Sequence, residues 1–158
     1  MRSSSNFTLT ICEAADFDLT GQLVWPGALL LNDYLAKNAE MLQGCSIIEL
    51  GSGVGVTGIL CSRFCPQLLL TDHNDEILKK NIELCASSEN PNCCAVERLL
   101  HVRGGQCKFI LAYVSRAKSM DSLIMKQAAE HGMRMVEVTG TRSVVRNLEG
   151  VIFEVALQ

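Results

Sequence analysis

Short apolar runs alternate with amphipathic stretches along the chain, and this alternation predicts the secondary structure. A continuous apolar run of four to eight residues is typical of a strand buried on both faces of a parallel sheet, and strict alternation is typical of a half-buried strand. Strands are predicted on this basis at residues 7–14, 45–50, 67–72, 107–115, 133–140 and 150–157.

Helices are predicted between these runs from helical spacing and from residues that favour helix ends. Pro26 suits a first helical turn, Ser119 is expected as an N-cap, and Gly132 is expected at a helix end. The predicted helices are 26–39, 56–64, 75–88, 93–103 and 119–132. The first is expected to bury Leu29, Leu30, Tyr34 and Leu35.

The order of these elements predicts an α/β domain with a mostly parallel sheet and helices on both faces. Only about nine residues join the last two strands, 133–140 and 150–157. A parallel crossover needs a dozen or more residues, so these two strands should pair antiparallel.

Composition narrows the function classes. The chain has 158 residues, of which 48% are hydrophobic, enough for one domain with a real core. A net charge of −3 argues against a nucleic-acid surface and against a polybasic membrane anchor. No apolar run is long enough to span a membrane, and residues 1–18 lack the apolar block of a signal peptide. We therefore expect an intracellular protein, in the cytoplasm or also in the nucleus.

The eight cysteines form no CxxC pair and have no histidine pair at zinc-site spacing. Most are expected to be buried thiols that act as small hydrophobes, with a zinc site as the alternative.

The stretch IIELGSGVGVTGI, residues 47–59, joins a predicted strand to a predicted helix through alternating glycines. Such a turn points backbone N–H groups at a ligand and allows close approach, because no Cβ is present. Gly53, Gly55 and Gly58 match the dinucleotide pattern G-x-G-x-x-G, which alone is weak evidence. A tight strand-to-helix turn without a ligand is the plain alternative.

Glu49 near this turn favours S-adenosylmethionine over a dinucleotide, and Asp72 and Trp25 could contact the same ligand. Glu49 precedes Gly51 by two residues, and its carboxylate would attract a sulfonium and an ammonium but repel a pyrophosphate. Asp72 ends the next strand, where it could hold ribose hydroxyls or cap the following helix. Trp25 could pack in the core or cover the adenosine or methionine part of the cofactor.

The segments TGQLVWPGALLLNDYL, IIELGSGVGVTGIL, LLLTDHNDEILKKNIELC and KFILAYVSR together resemble the seven-strand, class I methyltransferases that use S-adenosyl-L-methionine. The entry Thr20-Gly21 to Val24-Trp25-Pro26 most resembles the branch of non-SET protein-lysine methyltransferases. The resemblance implies a Rossmann-like fold, in-line transfer of a methyl group to a neutral amine, and no metal; it leaves the catalytic residues unassigned. It implies a cofactor site lined by Trp25, Glu49, Gly51, Gly53, Gly55 and Asp72.

The chain departs from this family after residue 88. The family has a third strand, a helix and a fourth strand there, ending in an acidic D-x-x-Y/F motif at the acceptor channel. The eighteen residues 89–106 are too few for such a unit, and no Asp lies between Asp75 and Asp121. We therefore expect an internally shortened domain in which strand 107–114 lies beside strand 45–50. If it does not, an unpaired sheet edge would favour self-association.

These observations predict one domain over 1–158, with an N-terminal extension 1–19, a cofactor-binding half 20–88 and a C-terminal half 107–157. The leading hypothesis is a methyltransferase that acts on a protein lysine, with weak or absent activity in this shortened form. A non-catalytic binding or regulatory module is the first alternative. An NAD-dependent oxidoreductase is the second, against which Glu49 and the antiparallel tail both count. The expected partner is a protein substrate, with neither nucleic acid nor membrane.

Overall fold

The structure, a computed structural model, describes residues 8–13, 24–72, 100–101 and 107–158. These residues form seven strands, three α-helices with described bounds and one 3₁₀-helix at Ala39–Leu42, and Leu100 and His101 are also helical. The α-helices are α1 (Pro26–Lys37), α2 (Val56–Cys61) and α3 (Lys118–Glu130). The strands are β1 (Thr8–Glu13), β2 (Ser46–Leu50), β3 (Gln67–Thr71), β4 (Cys107–Val114), β5 (Met133–Glu137), β6 (Ser143–Val145) and β7 (Leu148–Leu157).

All seven strands belong to one sheet in the order β3-β2-β1-β4-β7-β5, with β6 also paired to β7. The first four strands of this order are parallel to one another, whereas β7 runs antiparallel to β4, β5 and β6. The predicted α/β architecture and the antiparallel pairing of the last two predicted strands are confirmed.

The N-terminal strand β1 lies in the middle of the sheet, between β2 and β4. Thr8 pairs with Ser46 on one side and with Cys107 on the other, and Cys12 pairs with Leu50 and Leu111. The prediction that strand 107–114 would lie directly beside strand 45–50 is therefore wrong. Strand β1 forms hydrogen bonds with the backbone groups of both β2 and β4. The edge of β2 that we expected to be unpaired, and to favour self-association, is therefore hydrogen-bonded.

Two apolar cores lie on opposite faces of the sheet. Helices α1 and α2 cover one face, where the buried side chains include Leu31, Leu35, Ile47, Cys61, Ile110 and Ile152. Helix α3 contributes Ile124 to the other face, where the buried side chains include Leu50, Leu100, Phe109, Leu111, Tyr113 and Val155. The predicted placement of helices on both faces is confirmed.

Several predicted details of the helices differ from the structure. In α1, Leu31 is fully buried whereas Leu29 is 40% exposed, because Leu31 and Leu35 stand four residues apart on the same stripe. Helix α3 follows Ala117 as its N-cap residue, so Ser119 lies inside the helix and is not the cap.

The hairpin of β6 and β7 was not predicted. Arg146 and Asn147, with φ of 48° and 66°, form its two-residue turn. The predicted helix 75–88 lies outside the described residues, as does helix 93–103 except for Leu100 and His101, which are helical.

Of the four cysteines whose side chains the structure describes, Cys45, Cys61 and Cys107 are buried as expected, whereas Cys65 is half-buried. In the described part of the chain, no helix has the length and apolar character needed to cross a membrane.

Candidate functional site

The alternating glycines form the turn between β2 and α2. Gly51, Gly53 and Gly55 have φ of 70°, 48° and 75°, which lie in the left-handed region where a Cβ is unfavourable. The turn is closed by a hydrogen bond of 2.7 Å from the Gly55 amide to the Ser52 carbonyl. The glycine at every second position is therefore required by the backbone conformation, with or without a ligand.

Asp72 lies against this turn. Its carboxylate Oδ2 accepts a hydrogen bond of 2.7 Å from the Gly53 amide, and its side chain is only 7% exposed. The Ser52 amide donates to the Thr71 carbonyl at 2.9 Å. Thr71, the last residue of β3, and Asp72 therefore both accept hydrogen bonds from the turn. The structure thus brings Asp72 and Gly53 together.

Glu49 lies below the turn, on the face of the sheet that α2 covers. Its side chain is 1% exposed, and its Oε2 would lie 2.8 Å from a Cβ placed on Gly58 of α2. Its charge is also one cause of the raised pKa of Cys61 in the same helix. The carboxylate therefore lies under α2, whereas the cavity beside Trp25 is lined by other residues.

Trp25 faces the turn across a small cavity of about 10 Å³, which has room for about one water molecule. The cavity is lined by Val24, Trp25, Ala28, Ser52, Gly53, Val54 and Val56. The Arg116 guanidinium lies 4.8 Å from the centre of the Trp25 ring and stacks on it. A nucleoside-sized ligand, which needs roughly 300 Å³ or more, would require the Val24–Trp25 segment to move aside.

The chemistry of the turn nevertheless suits a nucleoside that carries a positive charge. The Ser52 hydroxyl is buried and has no hydrogen-bond partner among the described residues, so it can bind a polar group of a ligand. An aromatic ring, a carboxylate and a backbone without Cβ atoms surround it. Ser52 and Arg116 were not found by sequence reasoning, since neither residue type is distinctive at a turn.

The described residues contain no group of three His, Cys, Asp or Glu side chains that could hold a metal ion.

The reactivity of the Cys61 thiol tests whether this side chain of α2 is buried. Burial, with a smaller contribution from Glu49, raises the pKa of its thiol to about 12. We expect Cys61 in the folded chain to resist iodoacetamide at pH 8, with the half-buried Cys65 modified first, as mapped by mass spectrometry. Because the folded-state pKa is raised, the thiol's contribution to stability is complete below pH 9 and is lost as the pH rises towards 12. Equal rates for the two thiols, before guanidine unfolding, would contradict the burial of Cys61.

The chain is similar in sequence to known proteins. A family model described as lysine methyltransferase matches residues 3–100, which is more than half of the chain. Protein N-lysine methyltransferase METTL21A of Mus musculus is 41% identical over 63 residues, covering 39% of this chain and 29% of that protein. Protein N-terminal and lysine N-methyltransferase EFM7 of Cryptococcus neoformans is 26% identical over 142 residues, covering 83% of this chain and 47% of that protein. The chain therefore spans less than half the length of these curated relatives.

The fold also has a solved counterpart. A ribosomal protein methylase of Lactobacillus delbrueckii subsp. bulgaricus superimposes with a TM-score of 0.57 at 13% identity, covering 95% of both chains. This likeness concerns the fold alone. The family match over residues 3–100 by itself shows that the chain belongs to the lysine methyltransferase family, a family of enzymes that depend on S-adenosyl-L-methionine.

Proposed function

We propose that the chain binds S-adenosyl-L-methionine at the glycine turn and belongs to a methyltransferase that acts on protein lysine side chains. The observation that carries this proposal is the contact between Gly53 and Asp72, which places a buried carboxylate against a turn without Cβ atoms. Family membership and the named relatives support a lysine acceptor.

When bound, the cofactor supplies a methyl group on a positively charged sulfur. Asp72 would accept hydrogen bonds from the ribose hydroxyls, since a carboxylate has about four acceptor positions and the Gly53 amide uses one. Ser52 would bind a polar group, Trp25 would cover the ligand, and the negative charge of Glu49 would favour a cation near the turn.

Turnover in this form is expected to be weak. The family's acidic acceptor motif has no counterpart in the sequence, and the cavity at the turn is small. Binding without catalysis would correspond to the alternative of a regulatory module.

Thermal melting with S-adenosylhomocysteine tests cofactor binding. A ligand at 100 times its Kd stabilises by about 2.7 kcal/mol, which for a chain of this size raises Tm by roughly 5–10 °C. We expect such a rise for the native chain and less than about 1 °C for Asp72→Asn, which retains an oxygen for the Gly53 amide but loses the charge.

The matched control is Asp33→Asn, which makes the same change at the exposed Asp33–Lys37 pair and should leave the rise unchanged. A rise with NAD but not with S-adenosylhomocysteine would identify an oxidoreductase and overturn the proposal.

With binding established, transfer of a radioactive methyl group to lysate proteins, detected as methyl-lysine after hydrolysis, tests the acceptor.

A further inference from the structure

A second and larger cavity, of about 410 Å³, lies at the edge of the sheet on the face that carries α3. It is formed by β4, α3, β5, β7 and the segment before β6. Its lining residues are Tyr113, Ser115, Asp121, Ile124, Met125, Met135, Glu137, Arg142, Glu149, Gly150, Val151 and Phe153. None of them lines the cavity beside Trp25.

One wall of this cavity, which we call the α3 pocket, holds an ordered carboxylate. The Tyr113 hydroxyl donates to Asp121 Oδ1 at 2.6 Å, and the Ser115 hydroxyl donates to Asp121 Oδ2 at 2.9 Å. These two hydrogen bonds lower the pKa of Asp121, so its carboxylate is charged at neutral pH. The hydroxyls of Tyr113 in β4 and of Ser115 just after it thereby hold the first turn of α3 in place.

The opposite wall holds Arg142, the one cation among the described residues that line the pocket, and its guanidinium is already paired. Arg142 donates to both oxygens of Glu137, at 2.8 Å and 2.7 Å. Glu149 adds another carboxylate to the lining, while Lys118 stands exposed one helical turn before Asp121 and does not line the pocket. The described lining residues therefore carry three carboxylates against one guanidinium, and their net charge is negative.

The rest of the lining is apolar and adaptable. Met125 and Met135 are unbranched and polarisable, and they lie near Ile124, Val151 and Phe153. An aliphatic chain that ends in a cation matches this arrangement, because it can lie on the apolar side chains while its charge meets the carboxylates. An anion would meet Arg142 only after displacing Glu137, and a purely apolar ligand would desolvate carboxylates without pairing them.

We propose that the α3 pocket docks a lysine or arginine side chain of a partner protein. The side chain lies along Met125 and Met135, and its cation faces Asp121 and Glu149. The inference does not rest on cofactor binding, because the two cavities share no lining residue.

The test uses the full chain with ¹³C-methyl methionine, observed by NMR without cofactor. The probes are Nα-acetyl-lysine methylamide and the norleucine analogue, which has the same aliphatic arm without the ammonium. We expect the lysine probe to shift the Met125 and Met135 methyls saturably, with a millimolar Kd. Met41, which packs in the opposite core, should not move. The norleucine probe should bind at least threefold more weakly.

Two variants complete the test. Glu149→Gln should weaken lysine binding at least threefold, whereas Glu40→Gln, an exposed change outside the pocket, should not. Equal shifts with norleucine, stronger shifts with inorganic phosphate, no shift with lysine up to 100 times its expected millimolar Kd, or indifference to Glu149→Gln would each overturn the proposal.

Discussion

Deletion of residues 1–13 is expected to abolish cooperative unfolding of the chain, whereas deletion of residues 1–6 alone should leave it intact. The longer deletion removes β1, which pairs over residues 8–12 with β2 and over residues 8–13 with β4. The shorter deletion ends before β1 begins. Circular dichroism during a thermal melt separates the two outcomes.

The size of this effect follows from the position of β1. Without it, β2 and β4 would expose unpaired backbone groups in the middle of the sheet, and buried groups of this kind are costly. Two open parallel edges also favour association with other copies, so the longer deletion should elute from a sizing column as larger species.

A point variant tests the same contact without shortening the chain. Thr10→Pro removes an amide from a strand that is paired on both sides, and we expect a loss of about 3 kcal/mol or more in the free energy of unfolding. Thr10→Ala, which keeps the amide, is the control. Equal melting temperatures for the native chain and the variant lacking residues 1–13 would show that β1 is not part of the sheet.

Gly58→Ala is expected to destabilise the chain by about 1–3 kcal/mol in urea unfolding. A Cβ at residue 58 would clash with Leu70 Cδ2 and would lie 2.8 Å from Glu49 Oε2, and both of these side chains are buried. Helix α2 or these two buried side chains must then shift. Ile59→Ala, on the exposed side of the same helix, should change stability by no more than about 0.5 kcal/mol.

A double-mutant cycle shows whether contact between the new methyl group at residue 58 and Leu70 causes the loss of stability. In a Leu70→Ala background the methyl group of residue 58 finds space, so Gly58→Ala should cost clearly less than in the native chain. An equal cost in both backgrounds would mean that contact with Leu70 does not explain the glycine, since helix propensity alone favours Ala over Gly. Helix α2 starts directly after the turn. A shift of α2 in Gly58→Ala should therefore also reduce the stabilisation of the chain by S-adenosylhomocysteine.

Much of the secondary structure was predictable because it depends on local patterns. The apolar run at Ser46–Leu50 and the glycines after it predict a strand followed by a turn with left-handed residues, independently of the rest of the chain. The antiparallel tail followed from a connection too short for a crossover. Asp72 was predicted beside the turn because the carboxyl ends of neighbouring parallel strands share one sheet edge. Its role towards the cofactor, like that of Trp25 and the glycines, stays a prediction.

The sequence by itself determined most of the described strands, the helices α1, α2 and α3 that cover them, and the residue types at the glycine turn, since these follow from periodicity and backbone sterics. Only the tertiary structure decided that β1 lies between β2 and β4, that Glu49 is buried beneath α2, and that Tyr113, Asp121 and Arg142 enclose a common cavity. The physical reason is that a local pattern shows which residues are buried but does not specify which distant segment buries them.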